Sequence, residues 1–174
     1  MKELMKRWMT KAVGEGREMM NIRTRSKVRG TIPAKEVEAV YRKTFNVSIP
    51  GFWKRVIMAI SGHSWQSSFF LADAYYKKTD EELIKLILEE DETNLQRYKS
   101  EFYDCDDFTF RLMGMFHQNL EAAAMPIFIT WVYTPRGGHA VLSYYADKKV
   151  KIIEPQNDAI FPVPKNWKLM LLCG

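Results

Sequence analysis

No stretch of 18 or more apolar residues occurs in the 174-residue chain, and the opening run MKELMKRWMTKAV is broken by Glu3, Lys6, Arg7 and Lys11. A membrane helix needs about 20 apolar residues and a signal peptide needs an unbroken apolar centre, so neither a span nor a signal peptide is expected. Cysteine is scarce, with Cys105 and Cys173 alone. Cys105 sits in an acidic, aromatic run unsuited to a structural bridge, which excludes a disulfide framework. There is no internal repeat, no low-complexity tract and no twelve-residue EF-hand loop.

What is present suffices for one core. Apolar residues make up 47% of the chain and aromatics 13%, enough for a single compact unit and short for two. Within that unit we expect a basic helical extension over residues 1–60 and a main domain over 61–174. The charge divides at the same place: residues 1–60 carry 14 Lys/Arg against 5 Asp/Glu, and residues 61–174 carry 12 against 16. Clustered cations attract polyanions without specific contacts, so nucleic acid or an anionic envelope polymer is a candidate partner for residues 1–60. The alternative is a solvated helical surface.

Residues 1–30 read as a short amphipathic helix and a flexible arm. Val37, Val40, Tyr41 and Phe45 have helical spacing after Pro33, and Phe52 to Ile60 forms a second apolar helix. Ser61 to Ser64 is a loop. Thr79-Asp80-Glu81-Glu82 opens a helix over 81–90 with Leu83, Ile84, Ile87 and Leu88 on one face. Thr93 caps a short helix to Tyr98. From Asp104 the apolar positions predict one long helix reaching about Ala124, with Cys105 in its first turn. After Pro126 the texture becomes strand-like: 127–133, 139–145, 150–154 and 167–172, with turns at Pro135 to Gly138 and Asp147-Lys148. The expected class is α+β, a helical first half followed by a small antiparallel sheet.

A helix N-terminus favours a thiolate, which makes Cys105 a candidate nucleophile. Such a nucleophile needs a base within hydrogen-bond reach and a third group to hold the base. With a two-residue turn at Asp147-Lys148, residue 146 pairs with 149, and His139, Glu154 and Gln156 share a sheet face. Either Glu154 or Gln156 can orient the imidazole, and Glu154 also stabilises its charged form. His117 lies about 18 Å along the helix from Cys105, too far to act, and His63 follows a glycine in a loop without a partner. The oxyanion-hole candidates are Gln66, Gln96 and the Cys105 N–H.

Asp104, Asp106 and Asp107 surround the thiol, and their charges oppose thiolate formation. A divalent cation offsets them, and carboxylate oxygens suit Ca²⁺. The candidate ligands are Asp104, Asp106 and Asp107 with Glu154, Gln156 and Asn157. The alternative makes Asp104 an N-cap and Asp106 and Asp107 first-turn acids that complement the dipole.

At these residues the sequence resembles a known group. Tyr103-Asp104-Cys105-Asp106-Asp107-Phe108, Gly138-His139-Ala140 and Ile153-Glu154-Pro155-Gln156 are similar to the papain-like catalytic domain of the Marasmius oreades agglutinin and to lectin-related bacterial and phage proteins. The resemblance spans about residues 65–165. It implies a papain-like or transglutaminase-like fold and a Cys105-His139-Glu154 triad, with calcium as cofactor; with no signal peptide expected, the expected location is cytoplasmic or phage-associated. The resemblance does not extend to the β-trefoil sugar-binding half. The resulting expectation is a cysteine hydrolase, a peptidase or amidase acting on a peptide or protein substrate. Acyl transfer to an amine is one alternative, and a non-catalytic binding module with a basic N-terminal region is the other. Oligomeric state stays open.

Overall fold

The computed structural model describes residues 26–47 and 68–174. The expected helix at 52–60, His63 and Gln66 lie outside the described residues, as does most of the arm over 1–30.

The elements, in chain order, begin with strand β1 (Thr31–Pro33) and helix α1 (Ala34–Thr44), then strands β2 (Phe69–Phe70) and β3 (Tyr75–Lys77). Helix α2 (Glu81–Glu90), a 3₁₀ turn at Thr93–Leu95, helix α3 (Cys105–Gln118) and the short α4 (Leu120–Ala123) follow. Five strands complete the chain: β4 (Ile127–Thr134), β5 (Gly137–Ala146), β6 (Lys149–Glu154), β7 (Ala159–Pro162) and β8 (Lys168–Cys173).

Local chemistry explains the helix ends. Asp80 caps α2 by accepting from the N–H groups of Glu82 and Leu83 at 3.1 and 3.2 Å, and the four apolar residues expected on one face are all buried. Helix α1 starts after Pro33, whose ring fixes an extended entry, and carries Glu36 in its first turn and Arg42 and Lys43 in its last, each favourable to the dipole. The long helix expected to run to Ala124 ends at Gln118 instead. The Asn119 side chain accepts from the N–H groups of Glu121 and Ala122 at 2.9 and 3.1 Å, which starts a new turn rather than continuing the old one.

The sheet departs further from expectation. Six strands run in the order β2-β8-β4-β5-β6-β7, and β2 joins β8 in parallel. A separate ribbon pairs β1 with β3. The expected papain-like or transglutaminase-like α+β arrangement with a small antiparallel sheet is therefore corrected to a six-stranded mixed sheet plus a two-stranded ribbon, with helices in the first half. The overlooked strands are short: Phe69–Phe70 has two residues, too few to alternate, and Ala159–Pro162 ends on a proline tolerated because β7 is an edge.

Both faces of the sheet are covered. On one, Leu83, Ile84 and Ile87 of α2 and Leu112 and Phe116 of α3 pack on Ile127, Leu142 and Ile153. On the other, Val37, Tyr41 and Phe45 pack on Phe128, Val132, Val141 and Ile152. Residues 140–146 of β5 are accordingly buried without interruption, as a strand with helices on both sides must be. Among the described residues no helix is long and apolar enough to cross a membrane.

Candidate functional site

The β4–β5 hairpin is closed by Thr134, whose hydroxyl donates to Gly137 O at 3.0 Å and accepts from the Arg136 N–H at 3.1 Å. Gly137 has φ of +123°, open to glycine and costly for other residues. On the other side of β5, Ala146 pairs with Lys149 and Leu142 with Ile153, the register expected from the sequence. Continued by one pair, it brings Glu154 opposite Val141, with His139 as its diagonal neighbour on the same face.

His139 Nε2 and Glu154 Oε2 are 2.7 Å apart. The two side chains are only 21% and 15% exposed. The other Glu154 oxygen accepts from the Gln156 N–H at 3.4 Å. Trp167 meets the His139 ring edge-on, with centroids 6.1 Å apart, and is braced by Phe161 at 6.0 Å. Together Arg136, His139, Glu154, Gln156, Asn157 and Trp167 line an open cleft of about 530 Å³. Aromatic, guanidinium, carboxylate and amide groups face one space there.

Cys105 is not among the residues lining that cleft. It opens α3 with its thiol against the N–H of Ala140, the residue after His139. Burial raises the thiol pKa first of all; the Asp104 and Asp106 charges add to this, while the N–H groups of Ala140 and Cys105 oppose it. Cys173, on β8, is raised by burial. Burial and the two aspartates thus oppose thiolate formation at Cys105, while the two N–H groups favour it.

The acidic residues around Cys105 serve the helix. Asp104 accepts from the Asp106 N–H at 3.5 Å, and Asp107 accepts from the Asp104 N–H at 3.1 Å, a reciprocal capping box. Asp104 and Asp106 also share a side-chain hydrogen bond, which lowers the pKa of Asp104 and raises that of Asp106. Ligand atoms of Asp104, Cys105 and Asp106 lie within 4.8 Å of one another. The downstream residues expected to complete a calcium set belong to another hydrogen-bond system: Glu154 with His139, and Asn157 Oδ1 with the Ala159 N–H at 3.0 Å. Two carboxylates and a soft thiol make a poor donor set for a hard cation that takes six to eight oxygens. His117 is exposed on α3, and Gln96 donates to Glu92 O at 3.2 Å.

Sequence reasoning assigned no role in the site to Trp167 or Arg136. Trp167 reaches the cleft because β8 lies beside β4, a pairing across 33 residues that periodicity does not reveal. The signal available was the Gly137-Gly138 pair, which marked room beside His139.

No protein-family model matches the chain, and no curated protein matches it. It is similar to solved structures of a fungal lectin. One is the lectin PSL1a in a complex with E64, at 18% identity, with a TM-score of 0.61, 83% of this chain and 51% of that one covered. Another is the Polyporus squamosus lectin bound to the human-type influenza-binding epitope Neu5Aca2-6Galb1-4GlcNAc, at 17% identity, with a TM-score of 0.61, 83% of this chain and 49% of that one covered. The chain spans about half the length of the lectins it matches. At 17 and 18% identity these likenesses show a shared fold. The expected cysteine hydrolase of papain-like type, peptidase or amidase, together with its acyl-transfer alternative, is corrected on these likenesses to the coarser statement that the chain shares a fold with that lectin over about half the lectin's length.

Proposed function

We propose that the chain is a carbohydrate-binding module that holds a glycan in the cleft between Trp167 and the His139–Glu154 pair. The observation that carries this reading is the composition of the cleft, with an aromatic wall opposite a guanidinium, a carboxylate and two amides. A sugar ring has an apolar C–H face that packs on an indole, and hydroxyls that need donors and acceptors in fixed places. Glu154 accepts from hydroxyls, Asn157 and Gln156 do both, and Arg136 donates. The hydrogen bond to His139 holds the Glu154 carboxylate in place, so little side-chain freedom is lost on binding. The lectin likeness supports this reading. The expected peptide or protein substrate is set aside in favour of a glycan.

A glycan array followed by titration calorimetry tests it. Trp167→Ala should reduce affinity for any retained glycan at least tenfold while leaving the circular dichroism spectrum intact, since the ring is only partly buried. Binding that is indifferent to Trp167, or no glycan retained by the intact chain, sinks the proposal.

A further inference from the structure

Between α1 and the β6–β7 edge lies a second groove, of about 770 Å³, which shares no residue with the glycan cleft. Val40, Val150, Phe161 and Val163 give it apolar walls. Four lysines, Lys43, Lys148, Lys149 and Lys151, line the same space, and no acidic residue is among its described lining. Lys151 pairs with Glu81 of α2 at 2.6 Å, on the sheet face away from α1, and Lys149 shares that face by strand alternation, which leaves Lys43 and Lys148 as the cations on the α1 side. Asp147 stands next to Lys148 on the turn and is the nearest opposing charge in sequence.

The turn supplies a second observation. Asp147 and Lys148 form the two-residue link between β5 and β6, with φ of +48° and +60°. A hairpin of this kind favours asparagine or aspartate followed by glycine. Aspartate suits the first place; lysine at the second is in a left-handed conformation that its Cβ disfavours. Strain kept at one residue against local preference points to a use for that side chain, and here the side chain brings a cation to the groove.

We infer that this groove binds a single-chain anionic amphiphile, an acyl chain with a carboxylate or phosphate monoester head. The acyl chain lies along Val40, Phe161 and Val163, where burial of apolar surface drives association, and the head group is held by Lys43 and Lys148. The volume is that of a small-molecule site. A nucleic acid fits less well, because the described lining offers one aromatic ring, Phe161, for stacking.

The test is calorimetry of the full chain with dodecyl phosphate below its micellar concentration, beside inorganic phosphate. Dodecyl phosphate should bind, and inorganic phosphate should bind at least a hundredfold more weakly. Lys148→Gly should weaken dodecyl phosphate about fivefold, the worth of one partly solvated charge contact, and yet raise Tm by relieving the turn. Lys43→Ser, on α1, should weaken it similarly. Equal affinity for the two phosphates, no binding of dodecyl phosphate, or unchanged affinity in both variants overturns the inference.

Discussion

Three buried hydroxyls tie α1 to the sheet, and their removal makes a prediction whose sign is unusual. Tyr41 Oη lies 2.8 Å from Ser143 Oγ, Ser143 Oγ lies 2.6 Å from Thr130 Oγ1, and Thr130 donates onward to Phe128 O at 3.3 Å. Tyr41, Ser143 and Thr130 are all fully buried. Tyr41→Phe removes one hydroxyl but leaves Ser143 bonded to Thr130, so it should cost about 1 kcal/mol, the net worth of one hydrogen bond. Ser143→Ala leaves the Tyr41 hydroxyl buried without a partner, while Thr130 keeps Phe128 O, and should cost about 2 to 3 kcal/mol. The double variant has no stranded hydroxyl and should cost about 1 kcal/mol. Tyr41→Phe should therefore stabilise the Ser143→Ala protein, although it destabilises the parent. Urea unfolding followed by circular dichroism supplies the four stabilities of the cycle, provided the m-values agree. A double variant less stable than Ser143→Ala refutes the reasoning and places α1 elsewhere.

Other outcomes follow from single groups. Burial alone would raise the pKa of Asp80, but bonds from the Leu83 N–H, the Ser26 hydroxyl and the N–H groups of Lys27 and Glu82 bring it below its ordinary value. Its stabilisation is complete above about pH 4 and is lost as pH falls through the lowered value. Asp80→Ala should cost about 1 to 2 kcal/mol at pH 7 and flatten the acid limb of stability against pH. Asp158 goes the other way: burial first and the Asp91 charge second raise it to about 6, against the Asn94 amide. The native state then holds that proton more tightly, and stability should fall by about 1 kcal/mol between pH 4 and 6, screening of the half-exposed carboxyl included. Asp158→Asn should remove this slope in urea midpoints measured across the range. Near neutral pH, iodoacetamide should alkylate Cys105 no faster than Cys173 by peptide mass spectrometry; selective labelling of Cys105 would show a thiolate that its surroundings do not favour.

Much of the local structure was legible because it is decided by neighbours in sequence. The four buried residues of α2 and their Asp80 cap follow from 3.6-residue spacing and one carboxylate beside free N–H groups. The β5–β6 register follows from the turn at Asp147-Lys148, and with it the meeting of His139 and Glu154. The break at Asn119 was missed because the apolar pattern continues across it; only the side chain's bonds to Glu121 and Ala122 end the helix.

The candidate site was half legible. His139, Glu154, Gln156 and Asn157 came from the hairpin, whereas Trp167 came from strand order. Cys105 was legible as the first residue of a helix, but its chemistry was not. Whether a thiol there ionises depends on its burial and on which charges surround it, and desolvation belongs to the folded state. The sequence by itself determined helix faces, caps and one register, since each is settled within a few residues by geometry and hydrogen-bonding capacity. Only the tertiary structure decided the mixed sheet, the aromatic wall of the cleft and the partial burial of the Cys105 thiol, because these depend on long-range pairing and on water excluded by distant parts of the chain.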